Sequence, residues 1–412
     1  MHDVIVVGAG IAGGSMACAM AAQGWDTVLL DRHSFPRVKV CGEFLSPESR
    51  HSLAALGLSA VLEELQPAPP AIARIRLSAG SGRPLELPLP EPAHSVSRYA
   101  LDCALQREAK RRGAQVRTGV TVRSIERGAL GWRVGVRSRE HGEAVLEARA
   151  VIGAWGRVAA AGLAEPPAAD AGAGGWGGAG TANAAGMLRR ASRWSARTLR
   201  GGSYVGVRVE LAGVTAEPVV ELYWFRGGYI GLVPMGNGTV NAAALVTPDA
   251  FRSSGSAAAG VVAAAALAVP ALAERLRQAQ PVDGSAAVTP VALTRVPRPW
   301  GVVPHIGDAA AVIPPLCGDG MAMGLHAASL CAPMADRYLR GTLTLGGWRA
   351  AYTETLQDDF AGPLRWGLLL QAGLSSRGLS PLLLRLGRFA PSVAYRFVEA
   401  TRLRTNGAEL PV

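Results

Sequence analysis

Apolar residues change rhythm along this chain, and each change predicts an element. Asp3 to Val7 is a short, nearly unbroken apolar run, Gly13 to Gln23 is an Ala-rich stretch closed by Gly24, and Thr27 to Leu30 is a second apolar run ending at Asp31. Short unbroken runs read as buried strands and the longer one as a helix, so the chain opens on a βαβ unit. "AIARIRLSAGSGRPLELPLP" alternates into a turn and out again, which predicts a hairpin outside that first sheet. From about Arg98 the period turns helical as far as Gly113, followed by strand material around Val116 to Val122. A second hairpin pair in "WRVGVRSREHGEAVLEARAVIGAWGR" returns the chain to the first sheet near Val151.

Beyond Ala159, to about Gly186, Ala, Gly and Pro follow one another without period, which reads as a flexible insertion. "SYVGVRVEL" and "PVVELYWFRGGYIGLVPMGNGTVNAAALV" then alternate between Gly-rich turns, predicting an antiparallel meander in a second, β-rich lobe. "VVPHIGDAAAVIPPLCGDGMAMGLHAASL" leads back to the first fold, and from Gly346 the chain is helical and Arg-rich. The expected organisation is an α/β nucleotide-binding domain in three pieces (1–65, 95–158 and 296–345). A hairpin (66–94) and an inserted antiparallel sheet (201–295) form the substrate domain, the insertion spans 159–200, and a C-terminal helical region covers 346–412.

Composition narrows the function classes. With 49% hydrophobic and 18% charged residues the chain is built to fold. The net charge of +11 comes mostly from scattered arginines, not from basic blocks interleaved with aromatics. Nucleic acid is therefore not the expected partner, and a basic surface suits anionic membranes or acyl-carrier partners. Five cysteines, Cys18, Cys41, Cys103, Cys317 and Cys331, form neither a disulfide framework nor metal-ligand spacing. A cytoplasmic setting follows, and the opening "MHDVIVVGAG" carries no signal-peptide pattern. "AAAGVVAAAALAVPALAERL" is broken by Pro270 and soon meets charge, so it reads as a buried or amphipathic helix.

Two motifs carry chemistry. Gly8, Gly10 and Gly13 stand in GxGxxG spacing between strand and helix, and Asp31 ends the next strand. That context predicts a tight turn, a bare backbone approach to a pyrophosphate at a helix N-terminus, and a carboxylate for the ribose of an adenosine. Far downstream, "GDAAAVIPPLCGDGM" predicts a strand ending in Gly307 and Asp308, a Pro-bearing loop, then Gly318, Gly320 and a helix. Such an element holds a ribityl chain and presents N–H groups to an isoalloxazine edge. A nicotinamide dehydrogenase does not need it, so the pair points to FAD.

At this point the chain resembles the FAD-dependent hydroxylase and reductase superfamily typified by para-hydroxybenzoate hydroxylase, and within it the geranylgeranyl reductases. Their PxxKxCG motif is matched at Pro36, Lys39, Cys41 and Gly42. The resemblance covers about residues 1–345. It implies that Asp31 binds the adenosine ribose, Arg98 the pyrophosphate and ribityl region, Val122 the adenine through its backbone, and Asp308 the ribityl hydroxyls. Gly318, Gly320 and Met321 would lie along the flavin edge. It also implies that Cys41 faces the flavin, where Lys39 would lower its pKa and make it a proton donor or charge partner; a packing role stays open beside this. Cys317, in the other flavin loop, is either a redox partner of Cys41 or a second unpaired thiol.

This chain departs from the family in two places. The reductases' YxWxFPK motif survives in "YIGLVPM" only at Tyr229 and Pro234; Gly231, Val233 and Met235 widen the pocket and remove a lysine anchor for an anionic head group. In "GAWG", Trp155 replaces an expected carboxylate, which questions direct reduction by NAD(P)H and makes a separate electron-donor protein an alternative. Trp224, Phe225 and Tyr229 wall an apolar substrate or simply fill a core. "PLLLRLGRFAPSVAYRFVEATRLR" is a helical cap or a basic amphipathic pair meeting the inner membrane surface.

The leading expectation is reduction of a carbon–carbon double bond in a polyprenyl, polyketide or lipid-like substrate. Hydroxylation of a phenolic or polyketide substrate is the alternative. Halogenation has less support, because there is no WxWxIP stretch. Non-redox binding of lipidated partners would leave both nucleotide-contacting ends without a purpose.

Overall fold

The computed structural model describes residues 1–80, 82–140, 142–157, 203–376 and 379–403. The expected insertion therefore lies outside the described residues. β1 (His2–Val7) pairs in parallel with β2 (Thr27–Asp31), and α1 (Ile11–Ala22) joins them. Nearly every residue of α1 is buried, as an Ala-rich helix without a polar face requires.

The chain then leaves this sheet. β3 (Phe44–Leu45) lies within the Pro- and Gly-broken loop after β2 and pairs with the end of β5. α2 (Ser49–Ala55) and α3 (Ser59–Glu63) lead to the hairpin of β4 (Ala71–Ala79) and β5 (Leu85–Ser95). α4 (Arg98–Arg111) brings the chain back to β6 (Gln115–Thr118) beside β2. β7 (Val120–Arg127), β8 (Trp132–Ser138) and β9 (Gly142–Gly153) run antiparallel, and β9 closes in parallel onto β1. Among the described residues the sheet order is β6-β2-β1-β9-β8-β7.

β10 (Tyr204–Ala212), β11 (Val219–Phe225), β12 (Gly228–Pro234) and β13 (Val240–Val246) build the second sheet with antiparallel neighbours. α5 (Pro248–Ser253), α6 (Ala258–Ala268) and α7 (Pro270–Arg275) follow, then β14 (Gln280–Val291) on the edge beside β10. The break before Pro270 divides the Ala-rich run into two helices, whose buried residues pack on Val207, Ile230 and Ala242. The sheet is not wholly antiparallel, because β4 and β11 pair in parallel where the early hairpin docks onto the meander.

The expected strand before Asp308 does not form. Residues 303–306 make a single bridge to β9, through Gly153 N–H to Pro304 O (2.8 Å) and Ile306 N–H to Gly153 O (2.9 Å). Pro304 has no N–H to extend a ladder, and Gly307 at φ +62° turns the chain into a short 3-10 turn. α8 (Gly320–Leu339) then packs against α1, and α9 (Leu345–Leu374), α10 (Leu379–Phe389) and α11 (Pro391–Ala400) complete the fold. No helix among the described residues is long and apolar enough to cross a membrane.

Candidate functional site

The strand ends of the first sheet open on a cavity of about 450 Å³. Gly8 turns at φ +113°, and a Cβ there would meet Ala154 O at 2.2 Å; a Cβ on Gly13 would sit 1.8 Å from Gly8 O. Only glycine allows strand, turn and helix to approach this closely. A Cβ on Gly10 would instead enter the cavity and meet Lys39 Nζ at 2.8 Å. Asp31 Oδ2 accepts from Ala9 N–H (2.8 Å) and Oδ1 from His33 N–H (2.8 Å), so this carboxylate also fixes the glycine turn.

Opposite the turn stands a cluster of cations. Asp102, 1% exposed, accepts from Arg98 Nε (3.0 Å) and pairs with Lys39 Nζ (2.8 Å). Burial alone would raise the Asp102 carboxyl, but Arg98 and then Lys39 hold it below its usual range. Burial, reinforced by Arg98, lowers Lys39 to about 8. Arg37 and Arg32 line the same cavity.

Gly8, Gly10, Asp31, Arg98, Val122, Gly307, Asp308, Gly320 and Met321 all line this cavity, although they come from six separate stretches of chain. Gly13 lies beneath the turn, and Gly318 packs on the Phe44 ring. The cradle that side chains would fill, the partly buried cations and the α8 N-terminus fit an adenine dinucleotide with a pyrophosphate and a flavin edge. The chain belongs to the FAD binding domain family, matched over residues 1–342.

It is an FAD-dependent oxidoreductase. It is 27% identical to the menaquinone reductase of Mycolicibacterium smegmatis over 391 residues, 87% of this chain and 81% of that protein. It is 26% identical to digeranylgeranylglycerophospholipid reductase 2 of Methanopyrus kandleri, over 89% of this chain and 85% of that protein. Among solved structures, the flavin-dependent brominase Bmp2 superposes with a TM-score of 0.72 at 15% identity, covering 97% of this chain and 93% of that one, a likeness of fold.

The PxxKxCG loop departs from expectation. Lys39 turns to Asp102, and the Cys41 thiol is pushed up, not down: burial dominates, with Arg98 opposing it. Cys41 Sγ accepts from Glu43 N–H (3.3 Å), and its carbonyl accepts from Asn241 Nδ2 (3.0 Å). Cys41 is absent from the wall of the nucleotide cavity, which the loop lines through Arg37 to Val40. Cys41 and Cys317 are both free thiols, with no disulfide between them in this structure. Cys317 is buried, with Gly367 and Pro314 as neighbours.

Glu43 holds the far side of this loop. It sits at φ +56°, a left-handed backbone that costs a non-glycine residue strain. Its partners hold it there: Oε1 accepts from Arg98 N–H (3.0 Å), Oε2 pairs with Arg208 Nη2 (3.1 Å), and its carbonyl accepts from Val96 N–H (2.8 Å). Arg208 Nη2 also pairs with Glu210 Oε2 (3.0 Å). Beyond these groups opens a second cavity, about 350 Å³, to which Glu43, Arg208, Glu210 and Met235 contribute. The strip 38–43 thus runs between two cavities, with Val38 on the wall of both.

The other candidates separate. Trp224 and Tyr229 are buried with ring centroids 5.9 Å apart, in a cluster with Leu384 of α10, whereas Phe225 packs on the opposite cluster with Ile230. Trp155 lines the nucleotide cavity edge-on to His305 at 5.0 Å. The sequence reading missed Asp102, Glu43, Arg208 and Asn241. Asp102 alone had a local signal, the i, i+4 spacing from Arg98 in "RYALD". It also missed Arg402, which reaches from beyond α11 to pair with Asp319 Oδ1 (3.1 Å) and Glu48 Oε2 (3.3 Å). Burial raises the Asp319 carboxyl, and Arg402 opposes that shift.

Proposed function

We propose that the protein reduces a carbon–carbon double bond in a large apolar substrate of polyprenyl or polyketide type. The observation that carries this reading is the PxxKxCG loop itself, which lines the nucleotide cavity through Arg37 to Val40 and the second cavity through Val38, with Glu43 just beyond it. The two relatives above are named for reduction of menaquinone and of digeranylgeranylglycerophospholipid, which supports reduction of an apolar substrate.

FAD supplies the hydride when bound and reduced. Lys39 and Arg98 would neutralise its pyrophosphate, Asp31 and Asp308 would accept from the ribose and ribityl hydroxyls, and the Val122 backbone would hold the adenine. Gly320 and Met321, on the cavity wall, would border the flavin edge. Cys41, which lines neither cavity in this structure, would reach the substrate as proton donor only through a shift of its loop, and Arg98 would then stabilise the thiolate left behind. Trp155, in place of a carboxylate, favours electron delivery by a separate donor over NAD(P)H.

Peripheral contact with the inner membrane surface belongs to the same proposal. Leu379, Leu382, Leu383, Leu386 and Phe389 are exposed on α10, with exposed Arg385 and Arg388 on the same helix. An apolar stripe beside arginines complements an anionic lipid surface.

The test uses FAD-loaded protein, reduced under argon and given menaquinone or a geranylgeranyl lipid, with mass spectrometry of the product. A saturated bond is expected, with turnover falling about a hundredfold in Cys41→Ala and partly restored in Cys41→Ser. Unchanged turnover in Cys41→Ala would remove the proton-donor role. An oxygenated product formed in air, with no saturated one, would move the assignment to hydroxylation.

A further inference from the structure

We infer that the second cavity is a head-group subsite that accepts a neutral carbonyl- or hydroxyl-bearing end of the substrate and rejects a diphosphate. This rests on the lipid-reductase reading and specifies what that reading leaves open.

The inference follows from counting charge at the wall. Arg208 is the one cation among the cavity's described lining residues, and two carboxylates, Glu43 and Glu210, already hold it. Arg208 is 5% exposed and Glu43 2% exposed, so solvent screens this cluster weakly. An incoming diphosphate would find no uncommitted cation there and would face two carboxylates. Burying it would cost far more than leaving it in water.

The cavity is nevertheless equipped for a neutral polar group. Arg208 Nε is a donor without a hydrogen-bond partner, closed off from the cavity in this structure and available to a carbonyl oxygen once the guanidinium turns. Glu210 Oε1 accepts from Thr239 Oγ1 (2.6 Å) and Asn237 Nδ2 (2.9 Å), which fixes this side of the network and leaves carboxylate lone pairs for a hydroxyl. Around it stand Leu65, Pro67, Pro70 and Val96, an apolar frame for the first carbons behind the head group. Met235 lies on the same wall, 7% exposed, with Ser95 Oγ donating to its sulfur at 3.2 Å. Its side chain brings no charge.

The experiment compares two lipids that differ only at the head, geranylgeraniol and geranylgeranyl diphosphate, titrated into FAD-loaded protein. Intrinsic tryptophan quenching and flavin difference spectra report binding without turnover. FAD already engages the cations of the nucleotide cavity, so the diphosphate cannot score by binding there. The alcohol is expected to bind at least about tenfold more tightly than the diphosphate. Glu210→Gln should narrow that ratio, and Met235→Lys, which adds a cation at the wall, should reverse its direction; retained flavin absorbance shows that each variant is folded. Equal or tighter binding of the diphosphate to the unaltered protein would overturn the inference while leaving the lipid reading intact. So would a ratio that neither folded variant moves. Binding of neither lipid would defeat the lipid reading, and this subsite with it.

Discussion

The two cavities share a wall and differ in almost everything else. The nucleotide cavity is edged with glycines and holds Arg32, Arg37, Lys39 and Arg98 against Asp31 and Asp308, whereas the second is framed by prolines and holds Arg208 between Glu43 and Glu210. One residue serves both. The guanidinium of Arg98 turns to Asp102 on the nucleotide side, while its backbone N–H, at the start of α4, donates to Glu43 on the other. Opposite electrostatic characters can therefore lie side by side without a thick partition, provided that each charge is committed to a buried partner.

The strongest way to break this contrast is Asp102→Asn. Removing the carboxylate leaves Arg98 and Lys39 uncompensated in a buried site, and the loss in stability should be about 3 kcal/mol, read from urea unfolding of the apo protein. An unchanged midpoint would mean that the cations find other partners and that the ion pair does not define the cavity.

Gly10→Val is a more selective test. The added carbons meet the flexible end of Lys39 instead of backbone, so the fold should persist while FAD affinity falls about a hundredfold. Circular dichroism melts and flavin fluorescence titration separate the two. FAD binding that survives this change would place the pyrophosphate elsewhere.

pH sharpens the contrast further. Lys39, lowered to about 8, carries its charge below that value and sheds it above. Binding a pyrophosphate favours the charged form, so FAD affinity should fall as pH rises through about 8, by roughly fivefold, and Lys39→Arg should remove the step. A flat profile in the unaltered protein would show that Lys39 does not face the phosphates.

The smallest effect concerns the outer surface. Phe389 is 77% exposed and Leu386 54% exposed, so changing both to Glu should leave FAD binding intact. Sedimentation with phosphatidylglycerol vesicles should fall about tenfold. If the unaltered protein ignores such vesicles, α10 serves only as a cap, through its inward Leu384.

What the sequence made legible follows from range. The βαβ opening, Gly8, Gly10 and Asp31 could be read because their constraints are local: a strand, a turn and a helix within one short stretch. Asp308 could be read as a residue near the glycine turn, and it lines the same cavity; the absence of a strand before it could not, because the single bridge from His305 to Gly153 depends on where β9 ends. Cys41 shows the same limit. Lys39 stands two residues away in sequence, yet Asp102, brought in by α4, takes its charge, and the thiol responds to burial instead. The Glu43–Arg208 pair joins residues 165 positions apart, and neither flank carries a pattern that announces it.

The tie from Arg402 to Asp319 makes the end of the described chain a partner of the loop before α8. Asp319 precedes α8 directly, is 1% exposed, and finds its counter-charge beyond α11. During synthesis the whole nucleotide-binding sheet emerges long before residue 402. Until that arginine arrives, the growing chain must keep this carboxylate either neutral or in water. Removal of the last helix together with Arg402 would therefore leave a buried carboxylate at the start of α8 without its counter-charge.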